Sequence, residues 1–306
     1  MKKMLENLHE LTTEMRNPRT EDLDRLPTLE ILRVMNEEDK KVAYAVERVL
    51  PEIARAVEMI AEALKHGGRL FYFGAGTSGR LGILDAAECP PTFGTDPKLV
   101  QGVIAGGMSA MMVAVEGAED MPELGAEDVE KYGVTADDVV VGIAASGRTP
   151  YVIGVLEAAK ARRAKTISLS CNPVATINQG VDVAINVVVG PEVVTGSTRL
   201  KAGTATKLVL NMLTTGSMIK LGKVYGNLMV NVQATNQKLR ERVKTIIRAA
   251  TGVGYAEAER LAQEAGGDAR LAIVMQKTGL GAQEAARLLA AAGGNVRHAI
   301  EGNAKD

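Results

Sequence analysis

Aromatic residues are scarce: there is no tryptophan, and phenylalanine and tyrosine together bring the aromatic share to only 3%. That scarcity argues against a base-stacking platform or an aromatic sugar groove as the main binding device. Cysteine is nearly absent too, and Cys89 and Cys171 do not suggest a disulfide scaffold. His9, His66 and His298 are scattered along the chain, so the sequence offers no metal-ligand cluster. No charge sign dominates. Lys plus Arg is 36, Asp plus Glu is 37, and the formal net charge is −1. That balance gives no support to a broad nucleic-acid surface but leaves room for a local pocket holding one anion. Long apolar runs are missing as well, with nothing approaching the roughly 20 residues of a membrane span. The opening MKKMLENLHELTTEMRNP is charged throughout and lacks the apolar centre of a signal peptide. The expectation is a cytoplasmic protein with no metal or cofactor and no nucleic-acid or membrane partner.

What is present is an alternation of apolar runs and helical patterns. With 306 residues the chain can bury a substantial core, as one large domain or two modest ones. Residues 1–20 read as a short helix, and 28–65 as two or more helices, the last started by Pro51 and ended by Gly67-Gly68. Short apolar runs at 69–73, 100–105, 139–144, 165–170 and 183–189 read as strands. Helices are expected at 78–87, stopped by Pro90-Pro91, and at 109–115 and 151–163. Strand, turn and helix in repetition predict an α/β fold, a mostly parallel sheet flanked by helices. A long apolar helix at 201–221 and another near 238–250 follow. An alanine-rich tail, 255–300, is cut by glycines into three or four short helices. The expected division is N-terminal helices over 1–59, the sheet domain over 60–223, and a helical C-terminal region over 224–306 with a small module from about 248.

Three turns follow predicted strands or open helices, and each could hold an anion. Gly74-Ala75-Gly76-Thr77-Ser78-Gly79-Arg80 combines glycines, which let backbone N–H groups approach an anion, with hydroxyls and the positive end of a helix. Its spelling satisfies GxGxxG, but the next strand ends Ile104-Ala105-Gly106-Gly107 without the acid that a dinucleotide ribose needs. It is not a P-loop either, since no Gly-Lys-Ser/Thr follows. The second turn is Ser146-Gly147-Arg148-Thr149-Pro150, where Thr149 can cap a helix and Pro150 suits its first turn. The third is Thr195-Gly196-Ser197-Thr198-Arg199-Leu200-Lys201. An ordinary capped helix explains any one of them, but three together favour an anion pocket at the strand ends of one sheet. Predicted phosphate contacts are Ser78, Ser146, Thr149, Ser197 and Thr198. Gly76, Thr77, Gly79, Arg80, Gly147, Arg148, Arg199 and Lys201 are expected in the substrate-binding loops.

Carboxylates supply the remaining chemistry. Glu88 falls at the expected end of helix 78–87, where a helix C-terminus disfavours an ionised carboxylate and would suit a general acid. From spacing alone an ordinary exposed helix-end glutamate is the favoured reading. Glu116, Glu119 and Asp120 form an acidic cluster in which spacing singles out no member.

Several long strings carry a resemblance: GRLFYFGAGTSGRLGILDAAECPPTFG at 68–94, AVEGAED at 114–120, GIAASGRTPYVIG at 142–154, SCNP at 170–173, and EVVTGSTRLKAGTATKLVLNMLTTGSMIKLGKVYGNLMV at 192–230. From about Asp22 onward the chain resembles the N-acetylmuramic acid 6-phosphate etherases. The resemblance implies a sugar isomerase (SIS) fold whose Ser/Thr-rich loops bind a sugar phosphate. It also implies a lyase that removes D-lactate from C3 of N-acetylmuramic acid 6-phosphate, and a homodimer. It makes Glu88, in ECPP, the proton donor and Glu119, in EGAED, the second acid/base group. Two readings remain beside it: an aldose–ketose isomerase of the same fold, and a non-catalytic sugar-phosphate sensor. The tail is similar to small three-helix ubiquitin-associated modules, read as a packing element.

Overall fold

A computed structural model describes residues 11–113, 115–232 and 236–303. They divide into two compact units, one of Met1–Ala87 with Lys98–Thr214 and one of Glu88–Pro97 with Thr215–Asp306.

The first unit opens with helices α1 (Thr28–Asp39), α2 (Lys41–Glu47) and α3 (Leu50–Lys65). In α3, Ile53, Ala56, Ile60 and Leu64 recur at helical spacing and form its buried stripe, with Pro51 in the first turn. A five-stranded parallel sheet follows, in the order β2-β1-β3-β4-β5. Its strands are β1 (Leu70–Gly74), β2 (Val100–Ile104), β3 (Val139–Ile143), β4 (Lys165–Ser170) and β5 (Val183–Asn186). β1 and β3 are buried along their whole length, as their unbroken apolar runs require of parallel strands covered on both faces. β4 carries buried polar residues at alternate positions. Thr166 bonds Asp182 at 3.1 Å, Ser168 bonds Asn178 at 2.8 Å and Ser170 bonds Asn186 at 2.7 Å, so none of these hydroxyls is buried without a partner.

The helices between strands are α4 (Gly76–Phe93), α5 (Pro122–Lys131) and α6 (Pro150–Ala161), and α7 (Lys201–Lys220) follows β5. The strand order reverses at β1, with β2 on one side and β3 on the other. Open α/β sheets bind ligands at such a switch point, outside the carboxyl ends of the strands.

Four sequence expectations need correction. The helix expected to stop at 87 runs on through Pro90 and Pro91 to Phe93. Each proline removes an N–H, leaving the carbonyls of Ala86 and Ala87 without their helical donors. The fixed proline φ is nevertheless helical, and the Gly94 N–H bonds the Pro90 carbonyl at 2.9 Å. Glu88 is therefore not at a helix end. The helix expected at 109–115 is a 3₁₀ turn, Met108–Met111. The strand expected over 183–189 ends at Asn186. Of the helix expected over 1–20, residues 1–10 lie outside the described residues, while 11–20 form turns.

The second unit holds α8 (Gln237–Thr251), α9 (Tyr255–Glu264), α10 (Ala269–Thr278), α11 (Ala282–Ala291) and α12 (Val296–Asn303). Ile247, Leu261, Ile273, Val274 and Val296 are among its core residues. Gly279 punctuates the tail as expected, closing α10 in the left-handed conformation, and Gly252, ahead of the tail, closes α8 in the same way. Among the described residues no helix is long and apolar enough to cross a membrane.

Candidate active site

A cavity of about 230 Å³ in the first unit is lined by residues that follow β1 and β3, the two strands of the switch point. Ala75, Gly76, Thr77, Ser78 and Leu81 come from the β1–α4 turn and the first turns of α4. Ala144, Ala145, Ser146 and Thr149 come from the β3–α6 connection. Thr198, Gly203 and Thr206 come from the start of α7 and the turn before it. Glu14 and Glu119 add two carboxylates.

Local sequence explains why the hydroxyls stand there. A Cβ on Gly79 would meet the Gly74 carbonyl oxygen at 2.6 Å and Ile104 at 2.6 Å, so glycine lets α4 start hard against the sheet. Its first turn, Thr77 and Ser78 included, is thereby held at the strand end. Gly147 has φ +71, and a Cβ there would meet the Ala175 Cβ at 2.3 Å. It bends the chain so that Ser146 Oγ accepts a bond from the Arg148 N–H at 3.2 Å, with the hydroxyl hydrogen left to donate. Thr149 occupies the N-cap position of α6, and Pro150 sits in its first turn as expected. The Thr149 side chain makes no capping bond there. Thr149 is among the residues that line the cavity.

The third anticipated turn behaves differently. The Lys201 and Ala202 N–H groups at the start of α7 donate to the Glu192 carboxylate at 3.0 and 2.9 Å. Burial pushes the Glu192 carboxyl above its ordinary range, partly offset by these two backbone donors. That helix end already holds an anion belonging to the protein. Lys201 itself is buried, and its Nζ bonds Glu38 Oε2 at 2.7 Å. Lys41 and Arg19 bond the other oxygen of Glu38 at 2.6 and 2.9 Å. Burial raises the Glu38 carboxyl, but Lys201 and Lys41 outweigh it and hold it at about 2.

Of the expected site residues, Gly76, Thr77, Ser78, Ser146, Thr149, Thr198 and Glu119 line the cavity together. Gly79, Gly147, Arg148, Ser197 and Arg199 lie outside its lining. Arg80 and Lys201, also expected in the substrate loops, lie outside the lining as well. Arg80 donates to the Ala110 and Met111 carbonyls at 2.7 and 3.0 Å, and Lys201 is spent on Glu38. Glu88 is exposed on α4 and belongs to the second unit. Glu119 is exposed in the 3₁₀ turn Ala118–Asp120, entered through Gly117 at φ +74.

Sequence reasoning missed Glu14, Leu81, Gly203 and Thr206. Leu81 and Gly203 sit within one helical turn of residues it named, and Thr206 lies five residues beyond Lys201. Glu14 lay in a segment read as helix, although Asn17-Pro18 signalled a turn just after it. No Lys or Arg lines the cavity among the described residues. An anion there would be met by hydroxyls, backbone N–H groups and the positive ends of α4 and α6. Among the described residues no group of three or more His, Cys, Asp or Glu is placed to hold a metal ion.

The chain is similar to known proteins in sequence and in fold. Residues 52–160 match the glucokinase regulatory protein N-terminal SIS domain, and residues 107–216 match the SIS domain. A phosphoheptose isomerase structure from Francisella tularensis is similar with a TM-score of 0.52, covering 63% of this chain and 100% of that one. At 18% identity that likeness is one of fold. Similarity in sequence is much higher to the N-acetylmuramic acid 6-phosphate etherase of Photorhabdus laumondii subsp. laumondii, 58% identical over 88% of this chain and 89% of the relative. It is equally high to that of Mycolicibacterium smegmatis, 58% identical over 88% and 90%. The chain belongs to the N-acetylmuramic acid 6-phosphate etherase family.

Proposed function

We propose that the protein is a carbon–oxygen lyase that converts N-acetylmuramic acid 6-phosphate and water to N-acetylglucosamine 6-phosphate and D-lactate, in cell-wall amino-sugar recycling. The observation that supports this best is the cavity at the switch point, which brings the hydroxyls of Ser78, Ser146, Thr149 and Thr198 together with the Glu119 carboxylate. The hydroxyl-lined end, at the helix N-termini, suits the phosphate.

The chemistry runs on proton transfers. Opening of the sugar ring exposes an aldehyde at C1, which acidifies the C2 proton. A carboxylate removes that proton, the electron pair forms the C2–C3 double bond, and the C3–O bond breaks. A protonated acid gives its proton to the departing lactate oxygen. Water then adds across the double bond, its oxygen to C3 and a proton to C2. One carboxyl group must be protonated while the other is ionised, so the two need different surroundings. Glu119 is the proposed base, supported by its place in the cavity. Glu88 is the proposed acid, and its assignment rests on the ECPP match, because α4 continues past it and the helix-end argument falls away.

The homodimer belongs to the same proposal. It is supported by Met212 and Ile219, which α7 leaves 37% and 51% exposed. The proposed setting is the cytoplasm, since a charged sugar phosphate does not cross a bilayer unaided. The test is direct: the purified protein is incubated with N-acetylmuramic acid 6-phosphate and D-lactate is assayed enzymatically. Release of D-lactate in step with N-acetylglucosamine 6-phosphate is expected. Ligand binding without lactate would mark a sensor, and a carbonyl shift without lactate an isomerase.

A further inference from the structure

The charge in the cavity is one-sided. Among the described residues its only charged lining side chains are Glu14 and Glu119, both carboxylates. A phosphate dianion is repelled by each, so it settles among the hydroxyls and helix ends, leaving the carboxylates to the neutral part of a sugar. Glu119 has a proposed part in the chemistry, but Glu14 does not.

The segment carrying Glu14 is pinned on both sides. Thr12 Oγ1 donates to Asn172 Oδ1 at 2.8 Å, and Asn172 Nδ2 donates to Thr13 Oγ1 at 3.2 Å. Beyond it, Asn17 Nδ2 donates to the Pro191 carbonyl at 3.3 Å. Thr13 is fully buried, and so are Asn172 and, on the apolar side, Leu11. The carboxylate passes so close to Gly196 that a Cβ built there would lie 3.1 Å from Glu14 Oε2. Glu14 is half-buried, and its carboxylate makes no hydrogen bond or ion pair with another described residue. Partly desolvated acceptors without donors are costly until donors arrive. Hydroxyl and amide groups of a sugar are such donors.

We infer that Glu14 is a substrate-contacting specificity residue. Its carboxylate accepts hydrogen bonds from hydroxyl or amide groups of the sugar. With Glu119 it fixes the direction of binding, phosphate toward Ser78 and Ser146. The inference rests on the sugar-phosphate reading of the site and deepens it.

Calorimetric titration of wild type, Glu14→Gln and Glu14→Asp with two probes, inorganic phosphate and N-acetylglucosamine 6-phosphate, tests it. Glu14→Gln should weaken the sugar phosphate about tenfold to a hundredfold, the loss expected for hydrogen bonds to a charged group. It should bind inorganic phosphate at least as tightly as wild type, because a like charge has gone. A purely structural role would weaken both probes together, and that result overturns the inference, as does unchanged sugar-phosphate affinity. Urea unfolding identifies a misfolded variant. Should Glu14→Gln not fold, Glu14→Asp keeps the charge one methylene short and must show the same selective loss. D-lactate release by wild type separates the two readings. Lactate with Glu14-indifferent binding sinks the residue, whereas Glu14-dependent binding without lactate sinks the reaction. A wild type that binds neither probe sinks both.

Discussion

The N-termini of α4 and α6 and the N-terminus of α7 are built from similar sequence, turns of Gly, Ser and Thr, yet their surroundings differ. At α4 and α6 the first turns line the cavity, and Thr149 leaves its capping position unbonded. At α7 the first N–H groups are taken by Glu192, nine residues before Lys201, and Lys201, expected in the substrate-binding loops, bonds Glu38. A turn's composition makes a helix end able to hold an anion. Whether that end is free for a ligand depends on a carboxylate elsewhere in the chain.

The strongest test of this division is at the carboxylates. Glu119→Gln should lower the rate of D-lactate release by roughly 10²–10⁴, the usual contribution of a general acid or base. Glu88→Gln should fall in the same range. A rate near wild type in either variant removes that residue from the chemistry.

Glu38→Gln probes the other region. Removing one partner of a buried ion pair costs about 3–5 kcal/mol, so urea unfolding should show a large loss while KM among the folded molecules stays near wild type. The pH dependence has a definite sign. With the Glu38 carboxyl held at about 2 against 4.5, its contribution is complete above pH 4.5 and is lost as pH falls toward 2. The variant should lack that acid-side decline. A raised KM with unchanged stability would place Lys201 in the substrate site after all.

Smaller effects separate the helix ends themselves. Ser78→Ala and Ser146→Ala should each raise KM for the sugar phosphate about tenfold to a hundredfold. Glu192→Gln should leave KM within about twofold and cost about 1–3 kcal/mol of stability, because it weakens acceptance of two buried N–H bonds. Equal effects on KM from Ser146→Ala and Glu192→Gln would erase the distinction between the ends.

The sheet was legible because its signals are local. The runs at Leu70–Gly74 and Val139–Ile143 are continuous and apolar, each followed by a small-residue turn, and both proved to be buried central strands. The serines and threonines in the turns after β1 and β3 stood out for the same reason, whereas Thr206, inside α7, did not. The positions of charged side chains were not. Arg80 turns to carbonyls about thirty residues away, and Lys201 to a glutamate 163 residues away. No spacing rule encodes such pairings. Glu14 escaped because its segment gains order from Asn172 and Pro191 rather than from its own periodicity. The helix through Pro90 was missed because a proline pair normally marks an end. Here only the two carbonyls one turn back lose their donors, and the helix resumes.

The central claim is elimination at the C2–C3 bond followed by addition of water, and one measurement bears on it directly. Substrate is turned over once in deuterated water, and the N-acetylglucosamine 6-phosphate formed is examined by NMR and mass spectrometry. Removal of the C2 proton followed by hydration predicts deuterium at C2 of the sugar and none bound to carbon in D-lactate. A product that forms at the full rate with its original hydrogen at C2 would mean that the ether is broken without C2 deprotonation, and would contradict the account.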